Sequence, residues 1–253
     1  MTFQLEPYCG NAPAPEALMA DWNFDPILLS AIALVALWTW RRAMAEDRVG
    51  QCALFMGLCV LAFVSPLCAF SSALFSARAF HHIVLVSLAA PLGWRFFFGS
   101  SVTLDRFPSM AAFVVHTVMV WLWHLPLPYA WALSSNFAYW AMEIPLLLSA
   151  LWLWREILYP RRASGSALAI CGGTILQMTM LGAFLTLTPH PLFSPHFLTT
   201  DLYGLTPLED QQLAGLLMWV PASLPYVAAF LLRIGQTIKT SSRDKAVDVP
   251  QNV

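Results

Sequence analysis

Residues 213–232, LAGLLMWVPASLPYVAAFLL, run for twenty positions without one charged side chain. A helix rising about 1.5 Å per residue needs roughly 20 residues to cross a hydrocarbon layer about 30 Å thick, so this stretch is long enough to span a membrane. Six further apolar runs precede it: 25–40, 49–68, 79–98, 109–125, 138–154 and 167–186. The first is the shortest and is expected to begin earlier, at Trp22. Closed β-barrels also satisfy every backbone hydrogen bond in lipid, but they read as short alternating segments, and no such alternation is visible. The expected fold is an all-α membrane protein. It divides into an external N-terminal segment (1–21), a bundle of seven transmembrane helices (22–232) and a cytoplasmic tail (233–253).

Composition agrees. Of the 253 residues 58% are hydrophobic and 11% charged, whereas an ordinary soluble globule carries about a quarter charged residues. That is too little charge to coat a water-facing surface, which argues against a cytosolic enzyme and a disordered chain. Thirteen basic residues against fourteen acidic ones argue against nucleic acid as a partner and leave membrane lipid. Orientation follows from the loops. Arg41, Arg42, Arg48, Arg95, Arg106, Arg155, Arg161, Arg162, Arg233, Lys239, Arg243 and Lys245 fall on one side, and Arg78 alone falls on the other. By the positive-inside rule the C-terminus is cytoplasmic and the N-terminus lies outside.

Ionisable groups inside apolar runs carry the functional information, because each costs about 2.5 kcal/mol or more at a helix centre unless paired or wet. They gather at the outer side. Arg78, His81 and His82 fall in the first turn of span three, and adjacent side chains point about 100° apart, so at most one of the two histidines is expected to face the interior. His124 closes span four, while His116 lies deeper and reads as a hydrogen-bonded core histidine. Tyr139 and Glu143 share one face at the start of span five. The 187–212 stretch, long enough to be functional, adds His190, His196 and Asp201. It ends in Thr206-Pro207-Leu208-Glu209, a capping box that sets the start of the last helix, followed by Asp210 and Gln211.

Each of these has a plain structural reading too. His81, His82 and His124 suit an aromatic interface belt, and Glu143 suits an ion pair with Arg78 or a nearby histidine. Met178, Met180 and Met218 are soft donors of the kind cuprous ion favours, and equally ordinary gap fillers. Cys9, Cys52, Cys59, Cys68 and Cys171 contain no C-x-x-C pair. An odd, scattered set argues against a disulfide framework, although Cys9 and Cys68 both fall near the outer face.

Several segments resemble the CtaG family of cytochrome c oxidase assembly factors. They are Asn23-Phe24-Asp25-Pro26, Ser65-Pro66-Leu67, Ala90-Pro91-Leu92, Trp121-Leu122-Trp123-His124-Leu125-Pro126 and, most specific, the run from Leu205 through Thr206-Pro207-Leu208-Glu209-Asp210-Gln211-Gln212 to Gly215-Leu216-Leu217-Met218-Trp219. The resemblance covers roughly 22–232. It implies a non-enzymatic, multi-pass protein of the bacterial inner membrane that serves the oxidase catalytic subunit, with copper delivery as the usual role. Copper would then be held by His82, His124 and His81, with Arg78, Tyr139, Glu143, Glu209, Asp210, Gln211 and Met218 as supporting or partner-contacting groups. The chain departs from the family pattern where Ala-His-x-x-Gln-His becomes Ala77-Arg78-Ala79-Phe80-His81-His82, and where His-x-x-x-His becomes Tyr139 and Glu143. Either an altered site remains or the scaffold serves a protein contact. Two other classes stay open: a haem-binding b-type electron-transfer protein, with histidines facing across helices, and a small-solute or metal transporter.

Overall fold

The computed structural model describes residues 6–99, 103–159 and 162–247, with side chains to Lys239. Helix is the only regular structure among them. The long helices are α1 (Pro26–Ala45), α2 (Val49–Phe63), α3 (Leu67–Ala73), α4 (Phe75–Phe98), α5 (Ser109–Trp123), α6 (Pro126–Ala132), α7 (Asn136–Leu158), α8 (Ser164–Leu187), α9 (Pro207–Trp219) and α10 (Leu224–Val247). Five helices are long and apolar enough to cross a membrane, with α9 and α10 counted together as Pro207–Lys239. The number is up to seven if each bent pair, α2 with α3 and α5 with α6, is one span. Large apolar side chains such as Leu34, Leu54, Leu176, Phe184 and Leu231 stand exposed on the outside of the bundle, where lipid is the solvent that suits them. This is a multi-pass membrane protein.

The centre of the bundle is α4, 78% buried, whereas α1 at the rim is 17% buried. Around α4 pack α2, α7 and α9. Its middle, Val84–Ala89, widens into a π-helical turn in which the Ala90 N–H reaches the Leu85 carbonyl. The next donor in that register would be Pro91, which has no N–H, and the Val86 carbonyl instead accepts the Trp154 indole N–H at 2.8 Å. The α8–α9 contact is close because it is made by glycines. A Cβ on Gly182 would lie 2.8 Å from the Gly215 carbonyl oxygen, and one on Gly215 would lie 2.7 Å from that of Gly182.

Several boundaries differ from the sequence expectation. The first helix starts at Pro26, capped by the Asp25 carboxylate on the Ile27 N–H, not at Trp22. The run 49–68 breaks at Ser65-Pro66 with a 40° bend, and 109–125 stops at Trp123 and turns by 80° into α6. The third span begins at Phe75, so Arg78 and both histidines sit up to two turns inside it. The last starts at Pro207 with its capping box formed, as the sequence indicated, then breaks before Leu224 and continues to Val247, past the expected tail boundary. Arg161 and the residues after Val247 lie outside the described residues, as do the side chains of Arg243 and Lys245.

The cysteine expectation is overturned: Cys9 and Cys68 form a disulfide across 59 positions. The other three cysteines are buried thiols within helices, so the odd total carries no information about the pair at the chain's folded-back N-terminus.

Candidate functional site

The helix that carries the site is anchored from a distance. Asp210, on the first turn of α9, accepts the backbone N–H groups of Phe75 at 2.7 Å and Ser76 at 3.0 Å, together with the Ser76 hydroxyl. These are unsatisfied donors at the start of α4, and no side chain of Leu74 can cap them. Gln211 ties down the other flank: its Oε1 accepts the Leu192 N–H at 2.7 Å and its Nε2 donates to the Leu185 carbonyl at 3.2 Å. Asp210 therefore sets the position of α4, and Gln211 that of the 188–206 connection. Glu209 is exposed and completes the Thr206 capping box.

One turn into α4 the charges meet. Glu143 Oε1, from α7, lies 3.2 Å from Arg78 Nη1, 3.2 Å from His82 Nε2 and 3.7 Å from His81 Nδ1, and all four side chains are buried. Both histidines face inward, against the expectation that one would not. The 100° rule supposes a helix with a broad outer face, and α4 is exposed only along a narrow strip at Phe80 and Leu88. His81 meets Phe63 of α2 at a ring separation of 5.5 Å, while His82 meets His124 at 5.7 Å. Glu143 Oε2, Arg78 Nε and Nη2, and both ring nitrogens of His81 have no hydrogen-bond partner. His81, His82 and Glu143 would on spacing alone suit a cation, but Arg78 already supplies one.

The soft donors occupy a neighbouring space. A cavity of about 20 Å³ is lined by His82, His124, Met178 and Met218, with Ser87 and apolar side chains between them. His124 Nδ1 donates to the Val120 carbonyl at 2.7 Å, leaving Nε2 with its lone pair. His82 holds Glu143 through Nε2, and its Nδ1 has no partner. An imidazole oriented by an oxygen acceptor on one nitrogen and bare on the other is the usual preparation for a metal. Met180 instead points outward, and His116 is bonded to Ser149 in the core at 3.0 Å. A family model for cytochrome c oxidase caa3 assembly factors matches residues 106–240, just over half of the chain. The chain belongs to the Caa3_CtaG family.

No curated protein and no solved structure matches the chain. The Caa3_CtaG match takes in His124, Tyr139, Glu143, Met178, Asp210, Gln211 and Met218, and begins beyond Arg78, His81 and His82. The half of the site on α4 is thus the half that lies outside the matched region.

Sequence reasoning missed the cover over this cluster. Tyr139 lies over the Arg78 guanidinium at 5.3 Å, and Tyr8 stacks on Tyr139 at 4.9 Å. Tyr8 donates to Asp25; burial and that carboxylate push its hydroxyl up to about 12, and the same bond with the Ile27 N–H holds Asp25 below the usual carboxylate range. Cys9, next in sequence, accepts from the Tyr139 hydroxyl at 3.8 Å. The shared outer placement of Cys9 and Cys68 was the one available signal. His196 and Tyr129, bonded at 2.6 Å, form a second buried contact between the long connection and α6. His190 and Asp201 are exposed.

Proposed function

We propose that this protein assembles cytochrome c oxidase in the bacterial inner membrane by carrying a cuprous ion to the catalytic subunit. It does so as a seven-span bundle with its N-terminus outside and its C-terminus cytoplasmic. Copper is cargo in this reading, passed from one set of ligands to another, and no bond-making chemistry is required. One observation carries it: two imidazoles, His82 and His124, and two thioethers, Met178 and Met218, share the lining of one small cavity. Nitrogen with thioether sulfur is a donor set that favours the cuprous state. The charge balance points the same way. Arg78 and Glu143 already neutralise each other, so an entering cation adds its whole charge to a buried region, and a monovalent ion adds the least. The Arg78 guanidinium occupies the position beside Glu143 that a divalent ion would need.

The test combines a deletion strain with purified protein. Deletion is expected to lower oxidase activity and the copper content of the oxidase, and normal oxidase in that strain would overturn the assignment. In the purified protein, His124→Ala is expected to weaken cuprous binding, read against a chromogenic chelator, by roughly tenfold or more. A Soret band in place of bound copper would instead make this a haem protein.

A further inference from the structure

The N-terminal segment brings a disulfide and the cover of the buried cluster together. Cys68 is fully buried, while Cys9 is half-buried and opens into a crevice of about 500 Å³ walled by Asn11, Asp21, Trp22 and Phe24. A reagent from solvent therefore reaches one sulfur of the bond and not the other. The buried sulfur is also the better leaving group, because the Asn23 side-chain amide donates to Cys68 Sγ at 3.8 Å, and Asn23 is itself fixed by the Phe63 and Val64 carbonyls. On the inner side, Tyr8 and Cys9 press on Tyr139, which covers Arg78.

We propose that the Cys9–Cys68 disulfide is a thiol–disulfide exchange site for a dithiol oxidoreductase, and that its reduction uncovers the Arg78–Glu143–histidine cluster. A partner thiolate attacks Cys9 Sγ through the crevice, forming a mixed disulfide and breaking the Cys9–Cys68 bond. Cys68 leaves as a thiolate held by Asn23 and takes up a proton. The partner's second thiolate then attacks its own sulfur in the mixed disulfide and expels Cys9, which is protonated in turn. Two electrons and two protons have passed, and the partner leaves oxidised. With the 59-residue link opened, the segment is held near the site by non-covalent contacts: the rings of Tyr139 and Trp140 against Tyr8, and isolated hydrogen bonds such as Tyr8 to Asp25, Glu6 to the Leu133 carbonyl and Tyr203 to the Pro13 carbonyl. The gating half of the proposal rests on the reading of the cluster given above; the exchange chemistry does not.

The experiment uses the full chain in lipid nanodiscs. A thioredoxin-fold oxidoreductase whose resolving cysteine is replaced by serine traps the mixed disulfide, and peptide mapping locates it. Capture is expected at Cys9. Capture at Cys68, or no capture by the folded protein, would overturn the exchange site. In a second arm, diethylpyrocarbonate labelling of His81 and His82 is followed by mass spectrometry before and after dithiothreitol. Loss of the cross-link is expected to speed labelling roughly tenfold or more, and Cys9→Ser should show the fast rate without reductant. Unchanged labelling in wild-type protein with the disulfide demonstrably reduced would reject the gate, whether or not the serine variant folds. Labelling reports access and not copper. A gated protein in a strain with normal oxidase would therefore reject the assembly reading alone.

Discussion

At the scale of the residue, Glu143 is the pivot of the site, and half of its role is legible in the sequence. A carboxylate among Trp140, Ala141, Met142 and Ile144 needs a partner, and Arg78 is the arginine that the loop count expects on its side, paired with it at 3.2 Å. That both histidines would join them at once was not legible, because neighbouring positions share a site only where most faces of a helix are covered, and the packing that leaves α4 exposed only at Phe80 and Leu88 is not written in its own sequence. The geometry predicts an asymmetry between single and double variants. Glu143→Gln leaves the Arg78 guanidinium buried without a counter-charge, which costs about 3 kcal/mol or more. Arg78→Met combined with Glu143→Gln removes both charges and is expected to recover most of that loss. Unfolding midpoints in detergent micelles measure it; a Glu143→Gln protein as stable as wild type would show that Arg78 draws its compensation from elsewhere.

Among the elements, the signals that act within one turn were readable and those that act across the bundle were not. Thr206 and Glu209 announce the start of α9 because both halves of the capping box are local. Asp210 capping α4 joins residues some 135 positions apart, and no sequence pattern marks it. The 188–206 connection carries a comparable long-range contact at His196, and it makes the connection sensitive to pH. Burial pushes the His196 imidazole from its ordinary 6.5 down to about 3. Between those values the open connection binds a proton that the closed one refuses, so closure is fully stable above pH 6.5 and weakens as pH falls toward 3. By pH 5 the loss is about 2 kcal/mol. Hydrogen exchange of residues 192–200, corrected for intrinsic rates, is expected to speed accordingly between pH 7.5 and pH 5. In His196→Gln, where nothing titrates, that acceleration should vanish; its persistence would assign the pH response to another group.

For the whole molecule, all seven apolar runs became helix, but hydropathy counts apolar residues and is blind to a bend. It therefore ran through Ser65-Pro66, and past Trp123, where the chain turns. Whether the two bent pairs cross decides between five spans and seven, and two contacts favour crossing. The disulfide brings Cys68 back to the end of the bundle from which α1 departs, so α2 travels the return distance. His124 at the end of α5 meets His82 near that same end. The far end is held by a separate set of bonds: Arg42 to the Phe96 carbonyl at 2.7 Å, Arg155 to Asp105 at 2.7 Å, and Arg233 to the Ile157 carbonyl at 2.7 Å. With the arginine-rich end in the cytoplasm, seven spans put the connection between α4 and α5 inside the cell, whereas two re-entrant pairs would put it outside. Green fluorescent protein inserted after Phe107 or fused to the C-terminus is therefore expected to fluoresce, and alkaline phosphatase inserted at Leu198, 91% exposed in the long connection, to be active. A dark fusion at Phe107 beside a fluorescent C-terminus would reduce the count to five and place Arg78 at the cytoplasmic end of α4.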